Sequence, residues 1–173
     1  MKVAIIGTPG SGKTTLAAAL SAEFGLEVMT AGDIARQFDP GAIARGDMGD
    51  PGLIKNGVEA FIQERDGWVL DGYPRASDQQ VSLTSSDVEV ILLTCRHDLA
   101  RERLLRRKRE DDTDELIQKK IREQTKLMEL DYPNGWAYEL AGWRRILNTS
   151  KKRPPEIARD VIAYLKGDKR EVY

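Results

Sequence analysis

Gly7-Thr8-Pro9-Gly10-Ser11-Gly12-Lys13-Thr14 is the stretch that decides the fold of this chain, and it matches G-x-x-x-x-G-K-[ST] at every fixed position. The preceding run, residues 3–6, is apolar without polar alternation, which predicts a strand buried on both faces. Residues 15–20 are rich in good helix formers and predict a helix directly after the loop. A strand, a glycine-rich loop and a helix in this order are the context in which such a loop binds phosphate.

The residue types of this loop suit phosphate for separate reasons. Glycines keep side chains away from a phosphate group and permit positive φ. The main-chain amides and the helix N-terminus point at one spot and attract an anion. Lys13 adds a positive charge for the β- and γ-phosphates, and the Thr14 hydroxyl suits Mg²⁺. A glycine turn with a chance lysine is the alternative, which the flanking strand and helix disfavour. The residues predicted to bind the nucleotide phosphates are Gly7, Pro9, Gly10, Ser11, Gly12, Lys13, Thr14 and Thr15.

Composition limits the classes of protein to which the chain can belong. Its 173 residues, 40% hydrophobic and 32% charged, are enough for one ordinary domain with a sizeable core. The net charge of -1 argues against a nucleic-acid or membrane surface. The single cysteine, Cys95, excludes a disulfide framework and a cysteine zinc site, and it suits a reducing compartment. No apolar stretch approaches the roughly 20 residues of a membrane span. We therefore expect a cytoplasmic protein without a membrane partner.

Further apolar runs predict four more strands, at residues 26–29, 68–70, 88–93 and 145–147. Segments with helical spacing separate these runs, and strands that alternate with helices imply a parallel sheet covered on both faces. The predicted fold class is therefore α/β, with a five-stranded parallel sheet in a three-layer α/β/α arrangement. Two local expectations accompany it: Asp33 caps the helix that contains Arg36, and the aromatic rings of residues 131–143 lie in the core.

Four polar features fall at or just after the carboxyl ends of predicted strands. They are the phosphate loop, Gly32-Asp33 with Arg36, the turn at residues 71–75, and a helix with many basic residues at 101–109. Taken singly, the turn could be a plain turn, and the basic helix could be a solvated face or a nucleic-acid patch. In a doubly wound sheet, however, the carboxyl ends of the strands meet at one crevice. Their coincidence favours a single site.

The order of these motifs resembles that of adenylate kinases and related nucleoside monophosphate kinases. The most specific element is Asp71-Gly72-Tyr73-Pro74-Arg75 directly after the third strand, with Gln79 four residues later. The resemblance runs from Lys2 to about Leu130, and it implies a P-loop kinase fold in a single domain over residues 1–173. It also implies an acceptor-binding insert at about 31–60 and a minimal lid at about 107–113. The matching segments are residues 7–15, 31–36, 71–75 with Gln79, Arg103 with Arg107, and 109–112.

The resemblance implies transfer of the γ-phosphoryl group of ATP to a nucleoside monophosphate, with AMP or dAMP as the expected acceptor. Such transfer holds two polyanions in line and neutralises charge on the moving group, so it needs several cations in a site closed to water. The small-molecule partners would be nucleotides, ATP would be the co-substrate, and the protein would be a monomer. By resemblance, the catalytic residues are Lys13, Arg75, Arg107, Arg109 and Lys120, and the phosphate loop is joined in binding ATP by Arg103 and Arg107. The residues that bind the acceptor are Ala31, Gly32, Arg36, Gly49, Gly72, Arg75, Gln79 and Arg109. Mg²⁺ is held, largely through water, by Thr14 and Asp71.

Departures from the family leave alternatives open. Ala31 replaces a usual threonine, Thr14 stands where many members have glycine, and Lys120 replaces an arginine. The first alternative is the same chemistry with a broad or another (deoxy)nucleoside monophosphate acceptor. The second is an ATPase that acts in the assembly of a larger particle, with the basic helix docking RNA. The third is a kinase for a sugar or shikimate-like acceptor. The turn at 71–75 and Gln79 argue against the last two.

Overall fold

The computed structural model describes residues 1–41, 45, 47, 49–83, 87–107, 112–132, 134–142 and 145–168. At least one helical segment separates each pair of consecutive strands along this part of the chain. The strands are β1 (Lys2–Gly7), β2 (Glu27–Thr30), β3 (Trp68–Asp71), β4 (Val88–Thr94) and β5 (Ile146–Asn148). The helices are α1 (Lys13–Phe24), α2 (Ala31–Phe38), α3 (Pro51–Gln63), α4 (His97–Arg107), α5 (Asp114–Leu127), α6 (Trp136–Ala141) and α7 (Pro154–Leu165), and a 3₁₀ helix covers Ser77–Leu83.

The strands form one five-stranded sheet in the order β2-β3-β1-β4-β5, and every pairing is parallel. The central strand β1 pairs with β3 on one side and β4 on the other. The register places Ile5 and Thr30 opposite Asp71, so β1, β2 and β3 end at the same edge of the sheet. The predicted α/β fold is confirmed, and the strand ends are where ligands collect in such sheets.

Alternate residues of β1 supply the two faces of the sheet. Val3 and Ile5 belong to a core formed with α1 and α7, whereas Ala4 and Ile6 belong to a core formed with α2, α3 and α6. Successive side chains of a strand point to opposite faces, so a strand covered on both sides has to be apolar throughout. This confirms the predicted three-layer arrangement. Among the described residues, every helix is too short or too polar to cross a bilayer.

One local expectation is wrong and another holds only in part. Asp33 does not cap α2, because the helix already begins at Ala31 and Thr30 occupies the N-cap position. In the aromatic segment, Trp136 lies in the core and Tyr138 packs against it, whereas Tyr132 is 64% exposed; Trp143 lies outside the described residues. A composition pattern fixes neither the first turn of a helix nor the direction in which a turn residue points.

Gly7 lies at the start of the phosphate loop, where close packing and backbone conformation both require glycine. Its φ is +139°, and a Cβ there would lie 2.2 Å from the carbonyl oxygen of Leu93 in β4. Gly25, which ends α1, also has a positive φ of +66°, but a Cβ there would have no described atom within 4 Å. Both glycines have a positive φ, but only at Gly7 would a Cβ meet a neighbouring described atom, so alanine at the two positions compares backbone strain with and without a steric clash.

We expect Gly7→Ala to lower the free energy of unfolding by about 3 kcal/mol or more, as backbone crowding in a core does. Gly25→Ala, the matched control, is expected to lower it by about 1 kcal/mol through backbone strain alone. Urea denaturation of the two variants measures the difference. Equal losses would contradict the close approach of β1 and β4 as the cause.

Candidate active site

A cleft of about 190 Å³ opens at the edge of the sheet where β1, β2 and β3 end. Among the described residues, its lining carries five cations and three carboxylates. An excess of positive charge in a cleft favours the binding of a polyanion. The cations are Lys13, Arg36, Arg75, Arg107 and Lys120, and the carboxylates are Asp47, Asp71 and Asp112.

The phosphate loop folds around the ammonium group of Lys13. The Lys13 Nζ donates hydrogen bonds to the carbonyl oxygens of Gly7 at 2.8 Å and Thr8 at 2.7 Å. Burial lowers the pKa of Lys13 to about 8; Asp71 counteracts this shift, and neighbouring arginines add to it. The buried hydroxyl oxygens of Thr8 and Ser11 have no hydrogen-bond partner among the described residues. A loop with a partly desolvated cation and unsatisfied hydroxyls suits a bound phosphate.

Thr14 and Asp71 form the part of the site that could hold a cation. The Thr14 Oγ1 donates a 2.6 Å hydrogen bond to the Asp71 Oδ2, and Asp71 is 3% exposed at the end of β3. A hydroxyl and a carboxylate are hard oxygen ligands, which Mg²⁺ prefers. Within the described ranges, no three His, Cys, Asp or Glu side chains are placed to hold a metal. The residues therefore fit a Mg²⁺ ion whose other ligands are phosphate oxygens and water.

Arg75 is held rigidly just beyond β3. The chain reaches it through Gly72, with φ +79°, and a cis Tyr73-Pro74 peptide bond. Its main-chain N–H donates to the Gln79 Oε1 at 2.8 Å, and its Nε donates to the Gly72 carbonyl at 3.2 Å. Burial lowers the pKa of Arg75 to about 10, so its guanidinium stays charged at neutral pH. The structure thus brings Arg75 and Lys13 to the same cleft.

Arg107 and Lys120, which also line the cleft, share one carboxylate. The Arg107 Nη2 lies 3.1 Å from the Asp112 Oδ2, and the Lys120 Nζ lies 3.0 Å from the Asp112 Oδ1. The Asp112 side chain is only 4% exposed. Burial alone would raise the pKa of Asp112, but the hydrogen bonds from Lys120 and Arg107 outweigh it and lower that pKa. The carboxylate therefore stays ionised and keeps both cations at the cleft. Arg109, predicted to be catalytic, lies outside the described residues.

Arg103 connects the phosphate loop to the end of β5. Its Nη1 donates to the Thr149 Oγ1 at 3.0 Å and to the Gly10 carbonyl at 3.3 Å, and its Nη2 donates to the Thr149 carbonyl at 2.8 Å. The guanidinium therefore lies against the backbone of the phosphate loop at Gly10. This position is compatible with the predicted contact to the donor nucleotide.

The predicted acceptor residues that the structure describes divide into a group that lines the cleft and a group that does not. Gly32, Gly72, Arg36 and Arg75 line the cleft, and Arg36 also pairs with Asp33. Gln79 is 2% exposed and already accepts the Arg75 main-chain N–H. The buried Ala31 lies in α2, and a Cβ on Gly49 would lie 2.9 Å from the Ala35 Cβ in the same helix.

Sequence reasoning missed several residues of the site, among them Thr30 in the cleft lining and two residues with long-range contacts. Asp47 lines the cleft, and its carboxylate lies 2.7 Å from the Lys119 Nζ. Gln124 is a buried residue of α5 that donates a 3.1 Å hydrogen bond from its Nε2 to the Arg75 carbonyl. Neither residue carries a local signal, because an aspartate in a glycine-rich segment and a glutamine in a helix are both common on surfaces.

The fold and this cleft define the class of protein. A family model described as "AAA domain" matches residues 6–119. A sugar kinase from Janibacter sp. whose crystal structure is known superposes with a TM-score of 0.72 over 95% of this chain and 94% of that chain. The identity of 17% means that this likeness shows the fold alone. The chain is a P-loop kinase.

Closer relatives identify the family. Adenylate kinase from Nocardia farcinica is 34% identical over 142 residues, which cover 70% of this chain and 78% of the relative. Adenylate kinase 1 from Synechocystis sp. is 32% identical over 161 residues, which cover 79% of this chain and 86% of the relative. The chain therefore belongs to the adenylate kinase family of nucleoside monophosphate kinases and is an ATP-dependent kinase.

Proposed function

We propose that this kinase transfers the γ-phosphoryl group of ATP to a nucleoside monophosphate, with AMP or dAMP as the expected acceptor. The observation that carries the proposal is that a second group of cations, Arg36 and Arg75, lines the same cleft as Lys13. A site that only hydrolyses ATP needs cations for one polyphosphate, whereas transfer between two nucleotides requires two phosphate groups to be held in line. The second group therefore favours a phosphorylated acceptor over a neutral one.

The cations would act on different parts of the reaction. Lys13 and the loop amides would hold the β- and γ-phosphates of ATP. Arg36 and Arg75 would hold the acceptor phosphate, and the planar guanidinium suits a phosphate better than an ammonium group does. Arg107 and Lys120 would neutralise charge on the moving group. Catalysis would thus come from positioning and electrostatic stabilisation.

The chemistry needs no protein base. A phosphate monoester loses its second proton with a pKa of about 6, so the attacking oxygen is already ionised at neutral pH. When bound, Mg²⁺ supplies positive charge to the β- and γ-phosphate oxygens, with Thr14 and Asp71 as the residues that would hold it. Asp71 would therefore serve the cation and not the acceptor.

A broader acceptor range is the second candidate. Ala31 offers no hydroxyl to an acceptor base, and the Gln79 side-chain oxygen is already bonded to the Arg75 main chain. The Gln79 Nε2 makes a long contact of 3.5 Å with the Pro51 carbonyl, so among the described contacts this end of the carboxamide is the more weakly held one. If Gln79 contacts the acceptor base through its amide nitrogen alone, the site would discriminate between bases less strictly than if both the nitrogen and the oxygen took part.

The test is a coupled assay with ATP, Mg²⁺ and each of AMP, dAMP, CMP, dCMP, GMP, dGMP, UMP and dTMP. We expect transfer to at least one acceptor, with AMP or dAMP giving the highest kcat/KM. A Lys13→Met protein purified in the same way controls for contaminating kinases. Turnover on none of the eight acceptors would reject the proposal, and ATP hydrolysis that responds to RNA in a salt-dependent manner would favour the assembly ATPase instead.

A further inference from the structure

Helix α5 contacts the site through polar residues on one side. Lys120 binds the buried Asp112, and Gln124, four residues later, donates to the Arg75 carbonyl. Residues four apart on a helix share a face, so these two side chains emerge next to each other. Helix α5 therefore contacts two parts of the site: the Asp112 carboxylate and the main chain of Arg75.

Two buried glutamines hold the peptide units on both sides of Arg75. Gln79 accepts from its N–H at 2.8 Å, and Gln124 donates to its carbonyl at 3.1 Å. Arg75 lies in irregular backbone after β3, where no neighbouring strand pairs with these groups in the described chain. Buried backbone polar groups need partners, so side chains have to supply them here.

The position of Gln124 would be apolar if only packing mattered. Ile121 and Ile117, one and two turns earlier in α5, and Met128 just after the helix, are apolar and at most 2% exposed, and Gln124 itself is 3% exposed. A buried carboxamide is costly unless it is hydrogen-bonded. Gln124 also lines a small pocket of about 40 Å³ together with Lys13 and Arg75. A leucine or methionine would fill the space but could not hold the Arg75 carbonyl.

We propose that Gln124 is a positioning residue for phosphoryl transfer, which fixes the Arg75 guanidinium relative to Lys13 by holding the Arg75 main chain. The inference rests on the proposed function, in which Arg75 binds the acceptor phosphate. In-line transfer is sensitive to small displacements of the reacting groups, so a shift of the Arg75 backbone affects the rate through the position of the Arg75 guanidinium.

Gln124→Met tests this role because methionine has a similar length and shape but no N–H donor. We expect kcat to fall about tenfold and the KM for ATP to change by less than about twofold, since the phosphate loop is untouched. The matched control is Thr125→Val. Thr125 is equally buried, at 4% exposed, but its hydroxyl bonds to the Ile121 carbonyl and to His97, away from the cleft. The kcat of Thr125→Val is expected to remain within about twofold of the wild-type value.

A double-mutant cycle with Arg75→Ala shows whether Gln124 acts through Arg75. In the Arg75→Ala background, Gln124→Met is expected to have little further effect on kcat, because no cation remains at that position for the main chain to place. A tenfold loss in both backgrounds would overturn the proposal. A loss of kcat that only follows the fraction of unfolded protein, measured by urea denaturation, would overturn it as well.

A second variant and a structural measurement keep the test independent of the stability of Gln124→Met and of the acceptor assay. Gln124→Leu cannot donate to the Arg75 carbonyl either and adds no charge beside Lys13 and Arg75, and we expect a similar fall in kcat. Amide hydrogen exchange of residues 72–79 is expected to accelerate in both Gln124 variants but not in Thr125→Val. Unchanged exchange would refute the positioning role, whereas a wild type inactive on every acceptor would refute the proposed function instead.

Discussion

Lys13→Met is expected to lower kcat by about a thousandfold while the fold remains intact, because it removes a preorganised cation from the phosphates. Methionine keeps most of the aliphatic stem, so packing against the loop changes little. Among the described contacts, the variant loses the two hydrogen bonds that the Lys13 ammonium group donates to the carbonyl oxygens of Gly7 and Thr8. Burial already disfavours its charge and lowers its pKa to about 8, so removing the charge does not weaken the folded state much.

Coupled assays and urea denaturation of the same preparations check both parts of this prediction. Lys2→Met is the matched control, since Lys2 begins β1, the strand that leads into the phosphate loop, and pairs with Asp87 at the opposite end of the sheet. Turnover of the Lys2 variant should equal that of the wild type. A Lys13→Met protein with more than about a tenth of wild-type turnover would show that the phosphate loop does not use this lysine.

The depressed pKa of Lys13 also gives the prediction a signature in pH. The folded protein without nucleotide loses the proton of Lys13 near pH 8, whereas the unfolded chain keeps it up to about 10.5. Between these values the unfolded state binds more protons, so the free energy of unfolding rises with pH. Lys13→Met lacks this rise. Parallel stability curves for wild type and variant between pH 8 and 10 would contradict the burial of this charge.

The sequence was sufficient for the fold because its signals are local and agree with one another. The apolar run before Gly7, the glycine loop and the helix after Lys13 each favour the same strand–loop–helix unit, and alternating strands and helices then imply the parallel sheet. Errors are confined to places where local preference is weak. Asp33 is a good capping residue, but β2 leads into α2 without a loop, so the helix begins before it reaches Asp33.

The site was predictable only in part, because some of its contacts join distant parts of the chain. The strand ends and the turn at residues 71–75 indicated where Lys13, Asp71 and Arg75 would meet. The bond between Gln124 and Arg75 spans 49 residues, and the one between Lys119 and Asp47 spans 72. No periodicity or motif reports such pairs, since each depends on where helix α5 lies in the finished fold, in which it packs against α4. Much of the predicted lid, including Arg109, lies outside the described residues.

Arg75→Ala is expected to separate acceptor use from ATP binding. Under the proposed function its guanidinium holds the acceptor phosphate, so its removal should lower kcat/KM for the acceptor by about a thousandfold. ATP affinity should change by less than about threefold, because Lys13 and the loop amides remain. Steady-state kinetics with varied acceptor and calorimetric titration with ATP measure the two quantities. The burial of Arg75 means that the variant also loses structural hydrogen bonds, so its urea midpoint has to be measured alongside.

Arg65→Ala is the control that separates loss of a cation from loss of a packed arginine. Arg65 lies 4.2 Å from the centre of the Phe61 ring and pairs with Glu27, and its side chain is 26% exposed. Its removal costs packing and an ion pair without affecting the cleft, so acceptor kinetics should stay unchanged. If Arg75→Ala weakened ATP binding as strongly as acceptor use, the two phosphate groups would not be held by separate cations. The cleft would then be one nucleotide site, and the role of Arg36 and Arg75 as the acceptor side would have to be abandoned.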